Sequence, residues 1–440
     1  MKHKDIWQAG VAGFLYSVAF LHPYLQTGTW LSFVFLFQSL ANWEHSFKKG
    51  FAWAIGATSI HITLLSSGIV HISHSSLLTA LIIPFFICIY LWTVIGLWFL
   101  CTQKAIKVLN FPILWIFSFI GLLSFLTYHA LWICGQQGGF FFLHPFIPLA
   151  STPLIQILIC YIPETILLFT FMASTYYIAL QRISAQKTVG VTLLLTILFL
   201  QIPLQKNIPQ SHSSFLKKAH IFNVMYPKTC NTSFICNDLS EKIIKIQNKD
   251  PFKKIFILTE SSCQQALEIN ALKDAFENTA FNGSLLYGGF RKAKEHRFNT
   301  IFCIHKEKTN PQSTFLFFDK KELLPFVEYL PSKIFFKDML LKNFFKESSP
   351  LSISAKKRPL LKLTSDFLCV PYICSEFFMY KHPDDSFLNI PVILFCNERH
   401  FWNMMKTLMQ QATQLKALLW NRSVFLVTST HIDLYTTIAL

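Results

Sequence analysis

No C-x-x-C pair, zinc-ligand spacing, P-loop or G-x-G-x-x-G fingerprint occurs in the 440 residues, nor any repeat of about 20 to 50 residues. Zinc ribbons, P-loop nucleotide hydrolysis, dinucleotide binding and solenoids are thereby set aside. Charge is scarce in the first half: up to residue 204 there are only eight Lys/Arg and three Asp/Glu, leaving 31 and 20 for the rest. The net charge of +16 divides into +5 and +11, and the lysines are dispersed rather than gathered into one stripe. Nucleic acid is therefore not the expected partner; anionic lipid headgroups suit a basic domain held against a bilayer. The eleven cysteines, an odd number, leave at least one thiol unpaired within the chain.

What the first half contains is long apolar runs. Seven are expected as membrane spans, near residues 6–22, 27–43, 51–72, 76–101, 111–134, 152–180 and 188–204. The basic residues Lys2, Lys4, Lys48, Lys49, Lys104, Lys107, Arg182 and Lys187 occupy the N-terminus and every second loop. The loops around 22–29, 71–75 and 135–151 have no Lys or Arg. One-sided basic loops place the N-terminus in the cytoplasm and, after seven crossings, residues 205–440 outside it. No small-x-small cleavage site marks the first span as a removable signal. Glu164, a rare intramembrane charge, fits either a lipid-access groove or a satisfied bond between helices.

Residues 205–440 read as a layered α/β domain. Strand-length apolar runs lie at 255–258, 284–287, 300–304, 314–318, 392–395 and 424–427, and helix-length amphipathic stretches at 239–246, 264–278 and 403–419. Loops leaving strand ends are the usual place for chemistry. Three such places carry reactive groups: Glu260 after 255–258, Lys320 after 314–318, and Cys374 after the apolar stretch 367–373. A carboxylate can take the proton of a thiol, and a lysine can lower the thiol pKa and stabilise the oxyanion after attack on a carbonyl. Each residue alone also fits a blander role as cap, solvated charge or core thiol.

The tract FDKKELLPFVEYLP, Phe318 to Pro331, resembles the signature of the apolipoprotein N-acyltransferases, an aromatic, any residue, Lys, and a segment ending in LVPFGEY-P. YICSEFF, Tyr372 to Phe378, is similar to the family's apolar strand ending in Cys-aromatic-Glu, and FILTESS, Phe256 to Ser262, to its W-P-E-[ST] element. Tyr287 to Phe290, Phe298 to Thr300, and the basic-then-Gly stretch Phe47 to Gly56 follow the family in the same order. The resemblance implies Glu260 as general base, Lys320 as catalytic lysine and Cys374 as acyl-accepting nucleophile, with Glu328 and Glu376 supporting. Lys320 is chosen over Lys321 by register; Lys321 and Glu322 are expected as surface charges. It implies a seven-span helical bundle (1–204) in the bacterial cytoplasmic membrane, carrying an extracytoplasmic nitrilase-like α-β-β-α domain (205–440). The implied reaction moves an acyl chain from a phospholipid, through a cysteine thioester, to the N-terminal amine of a diacylglyceryl-cysteine lipoprotein. A monomer without cofactor or metal is expected.

The sequence departs from that pattern at Thr259, where the family has Pro, at Val327, where it has Gly, and at Ser375, where it has an aromatic residue. It also lacks an eighth hydrophobic span after the domain. Competing readings are a membrane amide hydrolase of the wider nitrilase-like group, a relative that has lost its reaction, and a transporter or receptor, for which the spans hold few charges. Phe335, Phe336, Phe344 and Phe345 among Lys333, Lys337, Lys342 and Lys346 suit either a bilayer interface or an amphipathic core helix.

Overall fold

The computed structural model describes residues 2–21, 25–41, 44–73, 77–131, 138–181, 210–222, 224, 226, 231–258, 266–267, 269–277, 279–293, 296–307, 310–323, 358–383, 387, 389–396 and 403–436. The chain forms two compact units, Met1–Gln205 with His400–Leu419, and Lys206–Arg399 with Trp420–Leu440. The segment 400–419 thus belongs with the first unit, although its neighbours in sequence belong to the second.

The first unit is helical. Its helices are α1 (Lys2–Ala19), α2 (Thr27–Leu40), α3 (Ser46–Ser73), α4 (Leu77–Leu109), α5 (Leu114–Tyr128), α6 (Pro153–Tyr161) and α7 (Glu164–Leu180), joined by most of α12 (Asn403–Trp420). The single span expected over 152–180 is divided at Pro163. Ile162 before it is extended (φ −116°, ψ 126°), as the proline ring demands of the preceding residue, and α7 starts afresh at Glu164. The run at 188–204 lies outside the described residues. By length and hydropathy, one stretch among the described residues, Ile87–Leu109, is long and apolar enough to cross a membrane; Leu114–Tyr128 and Glu164–Leu180 are apolar but shorter.

Helices α1 and α3 cross closely because glycines face each other. A Cβ on Gly13 would lie 2.0 Å from the Trp53 carbonyl oxygen, and one on Gly56 2.4 Å from that of Gly10. Small residues at a crossing let backbones approach and add dispersion contacts. An aromatic cluster of Tyr16, Phe33, Trp53, Phe99 and Phe119 packs around that crossing, largely edge to face. Glu164 has both oxygens bonded, accepting from the Tyr128 hydroxyl at 3.0 Å and bonded to His144 Nε2 at 3.0 Å. His144 Nδ1 accepts from the Phe146 amide, which leaves Nε2 as the protonated nitrogen that donates to Glu164.

The second unit is a two-sheet sandwich. The first sheet has the order β1 (Ala219–Phe222), β2 (Ile255–Leu258), β4 (Gly283–Ala293), β5 (His296–Glu307), β6 (Asn310–Asp319), with the short β3 (Ala266–Leu267) also paired to β4. The second has the order β11 (Ile432–Tyr435), β10 (Val424–Val427), β9 (Val392–Phe395), β8 (Phe367–Ile373), β7 (Leu361–Thr364). Alternate residues sort to opposite faces. Ile255, Ile257, Leu286, Ile301 and Cys303 meet Cys369, Ile373, Ile393, Phe395, Phe425 and Val427 between the sheets. Phe256, Leu258, Leu285, Tyr287, Phe302 and Ile304 point the other way, onto α9 (Thr232–Lys249) and α10 (Ile269–Glu277). Helix α9 starts at an Asn231 cap that accepts from the Phe234 amide at 2.7 Å. Helix α8 (Gln210–Lys218) stacks Phe215 on Phe367. The stretch expected as one helix over 264–278 instead gives β3 and then α10.

Candidate active site

Strand direction brings the ends of β2 and β6 to one edge of the first sheet. Strands β2 and β4 are parallel, β5 is antiparallel to β4, and β6 antiparallel to β5, so β2 and β6 run the same way. The chain therefore leaves β2 after Leu258 at the same edge of the sheet at which Lys320 follows β6. Cys374 follows β8, which runs parallel to β9 in the other sheet. The two sheets meet at this rim: Lys320 Nζ donates to Ser375 Oγ at 3.0 Å.

Cys374 sits on a strand-turn-helix elbow. Its φ is +48°, in the left-handed region that non-glycine residues enter at a cost of about 1–2 kcal/mol. Its amide donates to the Phe395 carbonyl at 2.7 Å, extending the ladder to β9 by one residue, and its carbonyl accepts from Phe377 in the turn leading into α11 (Glu376–Met379). Such a turn pushes the side chain at its apex out of the sheet end. Cys374 is half-buried, whereas Cys236, Cys303, Cys369 and Cys396 are buried. Burial pushes the Cys303 thiol up to about 12 and, with Cys303 as a lesser cause, raises Cys369 well above its usual value. These core thiols stay protonated and unreactive.

Lys320 is only 1% exposed, and its amide bonds the Asn299 carbonyl at 2.7 Å. The residue before it, Asp319, is held by Arg291 through a two-point ion pair (3.0 and 2.5 Å) and by the Thr300 hydroxyl at 2.6 Å. Arg291 is itself sandwiched between the rings of Phe298 and Phe317, at 4.5 and 4.6 Å. This fixes the end of β6 one residue short of the lysine. Lys321 and Glu322, expected at the surface, are half-buried; Glu322 accepts from the Tyr380 hydroxyl at 3.4 Å.

Glu376 is fully buried. Its Oε1 accepts from the Ile373 amide at 2.6 Å and from Arg358 Nη1 at 2.8 Å, and its Oε2 accepts from the Lys321 amide at 3.0 Å. Arg358 also donates to the Pro371 carbonyl at 3.0 Å and lies 3.6 Å over the Tyr372 ring. Neither side chain of the pair is exposed. Losing one member of such a buried pair costs about 3–5 kcal/mol, because a bare charge is left inside. The half-exposed pair Lys242–Asp238 belongs to a class worth about 1 kcal/mol or less.

Of the residues picked from the sequence, Lys320, Cys374 and Glu376 come together at this rim. Glu260 and Glu328 lie outside the described residues, as do Thr259, Val327 and the Phe/Lys segment from Lys333 to Lys346. Arg358 escaped the sequence reading: it is one basic residue in the run Lys356-Lys357-Arg358, and nothing in spacing separates a buried cation from two neighbours. Ser375 was visible only as a departure from pattern. Asp319 could have been found by asking what anchors the residue before the lysine.

No protein-family model and no curated protein matches the chain. Similar solved structures include a CN-hydrolase superfamily protein from Xanthomonas campestris, solved with an arsenic adduct in its active site (9% identity, 47% of this chain and 73% of that one, TM-score 0.30). A carbon-nitrogen hydrolase from Helicobacter pylori is 12% identical over 48% of this chain and 72% of its own, with a TM-score of 0.31. Nit3 of Saccharomyces cerevisiae, a member of branch 10 of the nitrilase superfamily, is 12% identical over 48% and 73%, with a TM-score of 0.29.

Proposed function

We propose that the protein is a membrane-bound acyltransferase of the apolipoprotein N-acyltransferase type, with Cys374 as nucleophile, Lys320 as oxyanion-stabilising cation and Glu260 as general base. The observation that carries this reading is the meeting of Lys320 and the Cys374 elbow at one rim, the lysine ammonium 3.0 Å from the hydroxyl of the residue after the cysteine. In the first step Glu260 takes the thiol proton, the sulfur attacks the phospholipid ester carbonyl, and Lys320 faces the oxyanion. The C–O bond then breaks, the lysophospholipid oxygen receives the proton, and a thioester remains on Cys374. In the second step the lipoprotein amine attacks the thioester, an amide forms, and the thiolate leaves and is reprotonated.

A lipid substrate is supported by the apolar surface of the helical unit. Trp7, Phe117 and Tyr177 are 75%, 51% and 63% exposed, while Ser17, Thr29, Ser32 and Thr175 are wholly buried. Large apolar side chains on the outside are what a hydrocarbon solvent favours. The proposed setting is a bacterial cytoplasmic membrane, with the sandwich on its outer side. Mass spectrometry of lipoprotein N-termini from cells that depend on this chain tests the function. N-acylated termini are expected; free α-amines on diacylated lipoproteins would reject it, and released fatty acid in their place would indicate a hydrolase.

A further inference from the structure

We propose that Arg358 is a positioning residue for Cys374 and Lys320, acting through the Glu376 carboxylate. The carboxylate is shared in a particular way: one oxygen holds the amide of Ile373, the residue before Cys374, and the other holds the amide of Lys321, the residue after Lys320. Glu376 therefore ties the end of β8 in one sheet to the end of β6 in the other, each bond one residue from a reactive side chain. A buried carboxylate keeps its charge, and so its full acceptor capacity, only when a cation accompanies it. Arg358 is that cation, at 2.8 Å from Oε1 and fully buried. Its own placement is fixed by the Pro371 carbonyl and by the faces of Tyr372 and Phe318, at 3.6 and 4.8 Å, so it is anchored on both strands whose ends it serves. Lysine could supply the charge but not the planar stacking on Tyr372.

The inference rests on Cys374 being the reactive thiol, and it is tested on that thiol directly, without acyl transfer. The full-length protein in detergent is alkylated with iodoacetamide at neutral pH, and the Cys374 peptide is quantified by mass spectrometry against time. Arg358→Met is expected to slow Cys374 alkylation by an order of magnitude or more, since small displacements of a reacting pair carry large rate penalties. The double variant Arg358→Met/Glu376→Gln, which also removes the stranded charge, is expected to recover most of that rate. Glu376→Gln alone offers one acceptor oxygen in place of two and should slow alkylation by a few fold; it covers the case in which Arg358→Met does not fold. Alkylation of folded Arg358→Met at the parent rate, a double variant no faster than Arg358→Met, or an unchanged Glu376→Gln would each overturn the proposal. Loss of lipoprotein acylation in the parent with these alkylation effects intact would reject the acyltransferase reading and leave the positioning role standing.

Discussion

The two units of this chain both bury apolar side chains but differ in what they expose. Among the described residues, 19 of the 23 large apolar side chains that are exposed belong to the helical unit, and only Phe234, Phe252, Leu316 and Leu368 belong to the sandwich. The helical unit keeps Lys49, Ser39, Thr58 and His144 inside, with the Lys49 ammonium on the Ser39 carbonyl at 2.6 Å. The sandwich keeps Ile, Leu, Phe and Val inside, and gathers Asp319, Lys320, Arg358 and Glu376 at one rim, while Arg422 is buried on the Ile390 carbonyl ahead of β9. Burial in the sandwich is area removed from water, about 25 cal/mol per Å², and in the helical unit it also brings helices into close approach at glycines. The comparison teaches where to look: in the sandwich, the paired charges Arg358 and Glu376 and the buried Lys320 stand at one rim, beside Cys374.

That division can be broken by replacements whose effects should fall on one unit's task alone. The largest effect is expected at the elbow. Cys374→Ala should abolish acyl-thioester formation with phospholipid, while Cys369→Ala and Cys396→Ala, both in the sandwich core, should leave it; acyl-enzyme captured from labelled phospholipid and resolved by mass spectrometry reads this. Thioester on the Cys374→Ala protein would end the assignment.

Next in size, Lys320→Met should lower the acylation rate by about 10²-fold or more, the scale of removing one donor to a developing oxyanion. Lys321→Met is the control, because that residue contributes its backbone amide to Glu376, which methionine retains. Equal damage from both would mean that charge at the rim, and not one placed ammonium, matters.

A smaller loss, on the order of tenfold, is expected for Ser375→Ala, which removes a single hydrogen bond to a buried charged group. Ser375→Thr should restore the rate. Comparing the two in a Lys320→Met background sharpens the point: there, Ser375→Ala should have no further effect on kcat.

The smallest effect lies in the helical unit. Lys416 is fully buried, with its ammonium 4.1 Å over the Phe141 ring and 5.6 Å over that of Tyr128. Burial pulls its pKa from 10.5 down to about 7, outweighing the ring faces and the opposing pull of Glu164. Between those two values the unfolded chain binds the extra proton, so this residue makes stability rise with pH from about 7 toward 10.5. The parent-minus-variant difference in unfolding midpoint for Lys416→Met should therefore shift in favour of the parent as pH is raised through this window. A difference that is flat with pH would place the charge elsewhere. Cys374 alkylation should not respond to this replacement at any pH.

The strands Ile255–Leu258, Val392–Phe395 and Val424–Val427 were readable from the sequence to the residue, because a short apolar run with no polar interruption has few other ways to be buried on both faces. Strand β8 was readable as an apolar stretch and its end as a site by resemblance. The helix–strand boundary at 264–278 was not, since Ala266 and Leu267 carry no β preference and pair only because β4 offers a free edge there. The break at Pro163 was missed because composition was weighed over a window longer than the single proline that ended the helix.

By itself, then, the sequence determined the apolar character of the part before residue 205 and the alternating character of the part after it, and which side chains are candidates for acyl transfer. These follow from composition and from periods of two and 3.6 residues, which are properties of neighbours along the chain. Only the tertiary structure decided that Lys320 reaches Ser375, that Glu376 holds one strand end with each oxygen, and that Arg358 is the cation beside it. Such pairings join residues up to 55 positions apart across two sheets, and their strength comes from exclusion of water at a closed rim, which no local pattern encodes.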